Sequence, residues 1–411
     1  MPDRERIVAR LQALWEISHG PGGGADRPAY SAAEAQAMLL VAGWACDHAL
    51  EPGIDEHGNL WALPRGWSGS LITSGSHVDT VPDGGRYDGA LGTALGLELV
   101  ADLAASGAES PDGARAGLLV CAAEEAPRFG AGTMGSRLLT GKLLSSDLAQ
   151  LTDADGISAA DALAEYLDAL AELPRVAPPV DRLRAHAEVH VAQRRALREL
   201  GVVRRVASPR RFAITVTGES GHAGEVSMTQ RRDALAAAAE IVLAVEAAAR
   251  AQPPETVATV GTLTVAPGAV SVIPGTVRLG VDARGVQIGS LQRLEDDLRT
   301  RVTDIAAARG VEAEVRLTRA GEPTELDPTL AGAALQAARR LGIAARETWS
   351  GAGHDAQHLS ALTGALLLFV PLHGGESHTP QEGADLSEIV QAGRVVTEVM
   401  RRLEVDSGAG V

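Results

Sequence analysis

The pattern of apolar and polar positions predicts an α/β chain. Residues 4–18 and 31–48 have the spacing of amphipathic helices, and residues 92–105 form a third predicted helix. Two short apolar runs, 71–75 and 118–123, fit buried strands of a sheet that is covered on both faces. Alternation of strands and helices in this way is typical of the α/β class.

A second unit begins near Arg210. The pattern there predicts the order β-α-β-β-α-β, an α+β sandwich, in the segments 212–218, 231–250, 256–265, 271–283, 291–309 and 311–317. Helix and strand then alternate again through Phe369-Val370. We therefore predict a first domain formed by residues 1–209 and 321–411, with residues 210–320 inserted in it. The tail, 407–411, is predicted to be disordered.

Composition narrows the classes of partner. The chain is 45% apolar but only 3% aromatic, so its core must consist mainly of Ala, Leu and Val. The formal net charge of −16 argues against binding to nucleic acids or to anionic membranes. Two cysteines, Cys46 and Cys121, suit a reducing compartment. Because the chain begins without an apolar signal segment, we expect a cytoplasmic protein whose partner is a small-molecule substrate.

Residues able to bind metal ions follow the predicted strands. His77 comes after the first apolar run and Glu124-Glu125 after the second, which places them at the carboxyl edge of the sheet, where such folds bind ligands. Asp88 follows His77 in a glycine-rich loop, and two further histidines, His186 and His378, lie far along the chain. A bridging carboxylate, nitrogen and oxygen ligands, and one free carboxylate are the requirements of a two-metal hydrolytic site.

The neighbouring carboxylates suggest separate roles. Asp79 can accept a hydrogen bond from one imidazole nitrogen of His77 and so fix the tautomer that binds metal. Adjacent carboxylates at a strand end face opposite ways, so we assign Glu125 to the metal and Glu124 to the general base, which must stay free of metal. The loop glycines let the backbone turn so that Asp88 points back to the site.

Eight separated motifs carry a resemblance to a known family. In chain order they are His77-Val-Asp-Thr, Gly85-Arg-Tyr-Asp-Gly89, Glu124-Glu-Ala-Pro-Arg-Phe-Gly130, Thr133-Met-Gly-Ser-Arg137, Gly221-His-Ala-Gly224, Arg231-Arg-Asp-Ala234, Ser350-Gly-Ala-Gly-His-Asp-Ala356 and Glu376-Ser-His-Thr379. The chain resembles the M20-type metallo-amidohydrolases, and within them the hydantoinase/carbamoylase branch. That branch contains N-carbamoyl-L-amino-acid hydrolases, allantoate amidohydrolases and β-ureidopropionases. A ligand histidine, matched here by His186, distinguishes it from the peptidase branches.

The resemblance implies a set of metal ligands. Asp88 would bridge two divalent cations, with His77 and His186 completing the shell of one cation and Glu125 and His378 that of the other. Zinc and manganese are the expected metals, and cobalt and nickel are the alternatives. The fold implied is a metal-binding α/β catalytic domain with an inserted α+β lid, through which the chain would form a homodimer.

The resemblance also implies residues that contact the substrate. His222 would stabilise the oxyanion, in the family usually in the active site of the partner subunit. Arg284 matches the arginine that holds the substrate carboxylate, and Gly353 and His354 match a loop that lines the pocket. Ser271 stands where the family has an asparagine that helps this arginine.

Four positions depart from the family around the substrate. With His186 aligned to the family's His-x-Glu-Gln-Gly-Pro run, Val189 replaces the glutamine and His190 replaces the glycine. Ser271 replaces asparagine, and Glu225 begins the segment where the family has Thr-Thr-Pro. With His190 and Ser271 placed in the pocket, these changes suggest an altered substrate.

The predicted function is hydrolysis of a C–N bond in a small ureido or amide compound, similar to an N-carbamoyl amino acid or allantoate but atypical. An aminoacylase or dipeptidase is one alternative. A catalytically silent relative that binds a metabolite is another.

Overall fold

A computed structural model describes residues 2–105, 114–194 and 196–405, so the predicted disordered tail lies outside the described residues. Two compact units are present. Within the described ranges, the first unit contains Met1–Arg204, Glu325–Thr348 and Gly353–Val411, and the second contains Arg205–Thr324 and Trp349–Ala352. Each unit has a hydrophobic core of its own. The role of the second unit as a lid or dimerisation domain stays a prediction.

The mixed α/β architecture predicted from the sequence is confirmed. The helices are α1 (Arg4–Trp15), α2 (Ala32–Asp47), α3 (Ala90–Ala105), α4 (Met134–Leu139), α5 (Ala159–Ala169), α6 (Ala234–Arg250), α7 (Ile288–Arg309), α8 (Pro328–Leu341), α9 (Asp355–Leu359) and α10 (Leu386–Val405). The strands are β1 (Leu50–Ile54), β2 (Leu60–Pro64), β3 (Leu71–Ser74), β4 (Arg115–Val120), β5 (Leu183–Val191), β6 (Leu200–Val206), β7 (Ser208–Thr217), β8 (Gly221–His222), β9 (Val257–Ala266), β10 (Val272–Ile273), β11 (Thr276–Gly285), β12 (Glu312–Ala320), β13 (Thr324–Glu325), β14 (Ala345–Ser350) and β15 (Gly364–Val370).

The large sheet positions the candidate site. Its strand order is β1-β2-β4-β3-β5-β15-β6-β13, with β14 paired to β6. Strands β4, β3, β5 and β15 form a parallel centre, while β2 and β6 flank it in antiparallel pairings. Because the four central strands run the same way, their carboxyl ends meet at one edge of the sheet.

The second unit is built on the sheet β12-β7-β11-β9, which is antiparallel throughout. The apolar residues of β7 and β11 pack against α6 and α7 to form its core, which includes Phe212, Ile214, Leu279 and Leu298. The strand predicted over 271–283 is divided into β10 and β11 at Pro274-Gly275. Proline has no backbone N–H to donate to a strand pairing, so it interrupts the ladder there.

Local sequence signals explain where the helices begin and end. The side chain of Ser31 accepts a hydrogen bond from the backbone N–H of Glu34 at the start of α2, and Asp233 caps α6 in the same manner. Gly310 ends α7 in the left-handed conformation, which glycine adopts without a steric penalty. No helix within the described residues has both the length and the apolar character needed to cross a membrane.

We predict that substitution by alanine at two helical glycines has opposite effects on the free energy of unfolding. At Gly92 in α3, a Cβ atom would lie 2.0 Å from the carbonyl oxygen of Val189 on β5, whereas Gly43 in α2 is exposed and has open space. We expect Gly92→Ala to lower the free energy of unfolding by about 1–3 kcal/mol or more through overpacking. Gly43→Ala should raise it by roughly 0.5–1 kcal/mol. Urea titration of both variants checks this, and equal effects would contradict the described packing of α3 on β5.

Candidate metal centre

The carboxyl ends of β3 and β4 bring His77 close to the two glutamates. The strands are parallel, and the pairing continues past them as a bridge between His77 and Cys121. Glu124 and Glu125 follow three and four residues after Cys121. All three side chains are buried, with exposed fractions of 0% for His77, 9% for Glu124 and 7% for Glu125.

The neighbouring strand β5 contributes His190. Thr73 on β3 lies opposite His186 on β5, and extending this register by four residues places His190 opposite His77. The Nε2 atoms of His77 and His190 are 3.3 Å apart, and both rings are buried. The strand register therefore selects His190 as the histidine of β5 that belongs to the site.

This geometry contradicts the assignment of His186 as a metal ligand. Residues four apart on a strand share a face but are separated by about 13 Å. The Nδ1 atom of His186 lies 2.9 Å from Thr73 Oγ1, away from the strand end, and His186 belongs to none of the potential metal-binding groups among the described residues. Burial lowers the pKa of His186 to about 3, so this ring is neutral. The assignment of His190 as a pocket residue is corrected in the same way, because it joins a group of potential ligands.

Asp88 lies between the histidines. Its Oδ1 atom is 3.1 Å from His190 Nε2 and 3.6 Å from His77 Nε2, yet it accepts no well-formed hydrogen bond among the described residues. The Nδ1 atom of His77 lies 3.1 Å from the backbone oxygen of Asp79, and that of His190 lies 3.2 Å from the backbone oxygen of Val191. If each Nδ1 carries the proton, both Nε2 lone pairs point at the same space beside a carboxylate. A cation there would satisfy all three groups.

A second group shares Asp88. His378 Nε2 is 3.3 Å from Asp88 Oδ2 and 3.4 Å from Glu125 Oε1. The His378 backbone has a positive φ of 60°, and its side chain is 44% exposed. Gln193, just beyond β5, places its Nε2 atom 3.2 Å from Asp88 Oδ2 and 3.2 Å from His378 Nε2. The two groups meet at opposite oxygens of one carboxylate, which is how a bridging ligand binds two cations.

Asp79 organises the strand ends. Its Oδ1 atom lies 3.2 Å from His77 Nδ1 and accepts a hydrogen bond from the backbone N–H of Glu124, while its Oδ2 atom accepts one from that of Glu125. The carboxylate is completely buried. It therefore fixes both the imidazole and the backbone that presents the two glutamates.

The charges of the site favour bound cations. Burial raises the pKa of Glu124 well above its usual value, and Glu125 raises it further, against the opposing effect of His77. Burial, followed by Asp88, raises the pKa of Glu125 to about 7. The hydrogen bond to Asp88 raises the pKa of His378 to about 9. These carboxylates are crowded enough to hold protons in the absence of metal, and divalent cations would replace those protons.

Two further buried side chains, Glu188 and His354, lie close to His190, and the three form another group of potential metal ligands. The ring of His354 packs edge-to-face against it, with 4.5 Å between ring centroids. Glu188, on the same face of β5, accepts hydrogen bonds from Ser76 Oγ and from the backbone N–H of Ala356. His354 is completely buried, so in this structure its side chain supports His190 and offers no surface to a substrate. Gly353 precedes it and leaves space toward Gln357, with 3.6 Å between an added Cβ and Oε1.

The remaining predicted residues belong to the second unit. His222 lies on the short strand β8, is exposed, and accepts a hydrogen bond at Nδ1 from the backbone N–H of Gly224. The backbone oxygen of Ser271 accepts a hydrogen bond from the N–H of Ala223, which brings Ser271 next to this turn. Arg284, at the end of β11, donates from Nε to Asp282 and from Nη1 to the backbone oxygen of Gly351.

Gln193, Glu188 and Glu382 also belong to the surroundings of the site and were not predicted from the sequence. Glu188 lies two residues from both His186 and His190. On a strand this spacing puts all three side chains on one face, and it could have indicated that Glu188 lies near the site. Gln193 follows a histidine by three residues, as the glutamine of the family's His-x-Glu-Gln run does. Glu382 follows His378 in a segment without regular structure, and nothing in its local sequence indicates a role.

Comparisons with known proteins agree with the geometry of the site. The profile of the family described as peptidase family M20/M25/M40 matches residues 73–402. An N-carbamoyl-L-amino-acid amidohydrolase of Paenarthrobacter aurescens is 33% identical over 406 residues, which cover 97% of this chain and 98% of that protein. An allantoate amidohydrolase of Bacillus subtilis is 31% identical over 406 residues, again covering 97% and 98%.

A solved structure agrees with these relatives. The crystal structure of an amidase of the hydantoinase/carbamoylase family from Burkholderia multivorans has a TM-score of 0.86 and 31% identity, and the match covers 97% of each chain. The resemblance predicted from the motifs is therefore confirmed, as is the prediction of a hydrolase that acts on non-peptide C–N bonds. This chain belongs to peptidase family M20/M25/M40.

Proposed function

We propose that this protein is a binuclear metal-dependent amidohydrolase that cleaves a C–N bond in a small ureido or amide substrate of the N-carbamoyl amino acid or allantoate type. The observation that carries the proposal is the meeting of two imidazole Nε2 atoms, 3.3 Å apart, beside a buried carboxylate that also faces a second histidine and a glutamate. The names of the similar amidohydrolases, for N-carbamoyl-L-amino acids and for allantoate, support the substrate class.

The residues fit two divalent cations. His77 and His190 would hold one, Glu125 and His378 the other, and Asp88 would bridge them. The donors are all imidazole nitrogens and carboxylate oxygens, a set that accepts zinc, manganese, cobalt or nickel. When bound, such cations would polarise the substrate carbonyl and lower the pKa of a water molecule. A histidine at position 190, where the peptidase branches have a carboxylate, supports the amidohydrolase over the aminoacylase alternative.

Glu124 is the proposed general base. It is buried, it belongs to none of the potential ligand groups among the described residues, and its Oε2 atom lies 3.9 Å from His77 Nε2. Burial raises the pKa of Glu124 well above its usual value, which favours proton uptake by this carboxylate. Glu124 would take a proton from the attacking water and pass it to the leaving nitrogen.

The family resemblance also implies chemical roles for residues of the second unit. His222, exposed on β8, would donate a hydrogen bond to the developing oxyanion. Arg284 would hold a substrate carboxylate through its planar, bidentate guanidinium group, which its bond to Asp282 orients. Ser271, beside the His222 turn, is shorter than the family's asparagine and would leave room near the substrate.

The corrected strand register revises the argument for an atypical substrate. Aligning the family's His-x-Glu-Gln-Gly-Pro run to His190 makes Gln193 its glutamine, so the departures assigned to Val189 and His190 disappear. In their place the glutamate becomes Ala192 and the glycine becomes Arg194. Together with Ser271 and Glu225, which remain, these changes still support a substrate different from that of the common relatives.

Turnover tests the proposed reaction. We expect the metal-loaded protein to release ammonia or amine from at least one member of a panel of N-carbamoyl amino acids, allantoate and related ureido acids. Because Glu124→Gln removes only the proton acceptor, it should lower kcat by about 10²- to 10⁴-fold while both metals stay bound. Metal analysis of the same samples is the control. A wild type as inactive as the variant would favour the silent metabolite-binding relative.

Metal content tests the choice between the two histidines of β5. We expect His190→Ala to lose bound metal, with about a 10- to 100-fold fall in affinity or more, because it removes a nitrogen that faces Asp88. His186→Ala, a matched change four residues away on the same strand, should retain both metals. Plasma mass spectrometry after dialysis measures the two variants, and the reverse pattern would restore His186 as the ligand.

We also propose a homodimer formed through the second unit. The edge strand β9 has no charged residue, and Val257 and Leu263 on it are 51% and 44% exposed. The other edge strand, β12, carries charges at Glu312 and Glu314, which discourage strand pairing between chains. An uncharged edge strand with exposed apolar side chains is suited to pair with the same strand of a second copy.

Light scattering coupled to size exclusion tests this dimer. We expect a mass twice the 42.4 kDa of the chain, and a shift to the monomer in Leu263→Glu. Leu144→Glu, an exposed leucine of the first unit at 58%, is the matched control and should remain a dimer. A monomeric wild type would overturn the proposal.

A further inference from the structure

We propose that Glu382 is a positioning residue for the metal pair, whose carboxylate fixes the loop of Asp88 and joins it to the segment of His378. The residue is 6% exposed and none of the predicted roles includes it. This inference rests on the proposed metal-binding function, and it assigns to this chain a determinant of metal affinity that lies outside the ligands.

One oxygen of Glu382 holds the Asp88 loop by its backbone. Oε1 accepts hydrogen bonds from the N–H of Tyr87 at 2.7 Å and from the N–H of Asp88 at 3.0 Å. Both hydrogen bonds are buried, and both are charge-assisted because their acceptor is a carboxylate oxygen. They fix the peptide that carries Asp88. The direction of the Asp88 side chain is therefore set by a residue from the other end of the chain.

The second oxygen connects to the segment of His378. Ser377 Oγ lies 2.9 Å from Asp88 Oδ2 and 3.3 Å from Glu382 Oε2. The backbone N–H of Glu382 donates to the oxygen of Thr379, which closes a turn just after His378. Asp88 is thus held at its backbone by Glu382 and at its side chain by Ser377, the residue that precedes the ligand histidine.

The space that the Glu382 carboxylate occupies explains the glycine at position 85. A Cβ atom at Gly85 would lie 2.2 Å from Glu382 Cδ, so a larger residue there would displace this carboxylate from its place against the loop. Among the described residues, Gly85 is not one of those with a positive φ. The close approach of Glu382 therefore explains this glycine, and backbone conformation does not. The Gly85-Arg-Tyr-Asp-Gly89 motif is therefore shaped by a residue nearly 300 positions away.

The contacts assign Glu382 a supporting role and not a ligand role. Its two oxygens are turned to Tyr87, Asp88 and Ser377, and it belongs to none of the groups of potential ligands in the described part of the chain. Residues that orient ligands in this way typically contribute about 10- to 100-fold to metal affinity.

Calorimetric titration of the metal-stripped full-length protein with Mn²⁺ or Zn²⁺ tests the proposal. We expect two ions to bind the wild type, and Glu382→Ala to weaken binding by about 10- to 100-fold. Glu382→Gln should recover part of the loss, since its amide oxygen can still accept from the N–H groups of Tyr87 and Asp88. Ser377→Ala should weaken binding by a smaller factor, and it keeps the test open if Glu382→Ala does not fold.

Two controls separate this role from stability and from charge. Glu376→Gln removes an exposed carboxylate from the same segment and should bind metal as the wild type does. Thermal melting of each metal-free variant reports folding separately. Folded Glu382→Ala and Ser377→Ala variants with affinities equal to the wild type would overturn the inference. A wild type that binds no pair of ions would refute the proposed metal function itself.

Discussion

The site depends on one buried carboxylate, that of Asp88, on which the lone pairs of the neighbouring imidazole nitrogens converge. Asp88 faces His77 and His190 through one oxygen and His378 through the other, within 3.6 Å in every case. The Nδ1 atoms of the strand histidines lie next to backbone oxygens, and their Nε2 atoms face one another, the Asp88 carboxylate and, from His77, Glu124 Oε2 at 3.9 Å. Such an arrangement is electrostatically costly unless positive charge occupies the centre. The requirement for positive charge at this centre is therefore the constraint on which the rest of the site depends.

The scaffold around this centre is organised to keep it in place. Parallel strands fix the spacing of His77 and His190, and Asp79 ties the imidazole to the backbone of the two glutamates. On the opposite side, Glu382 ties the Asp88 loop to the His378 segment. Each of these carboxylates is buried and uses its oxygens on the protein, so precision at the ligands is maintained by groups that need not contact the metals.

Much of the fold could be predicted from local patterns. The helix predicted over 31–48 is observed at Ala32–Asp47, and the helix predicted from 231 begins only at Ala234, because Asp233 acts as its cap. The clustering of candidate ligands was predictable where they follow a clear apolar strand, as His77 and Glu125 do. Strand β5 gave no such signal, since an arginine, two histidines and a glutamate occupy a nine-residue strand.

The choice between His186 and His190 shows what sequence alone could not decide. Both lie on the same face of β5, and both precede residues that resemble part of one motif. Only pairing with β3 sets which of them reaches the strand end, and register is a tertiary property. Glu382 was beyond prediction for a similar reason, because its partners lie at positions 87 and 88 in sequence.

Anomalous X-ray diffraction from metal-loaded crystals, recorded at the absorption edge of the bound ion, would locate the cations. We expect two peaks flanking Asp88, one of them about 2.1 Å from Nε2 of both His77 and His190. A single peak remote from Asp88, or one coordinated by His186, would contradict this expectation.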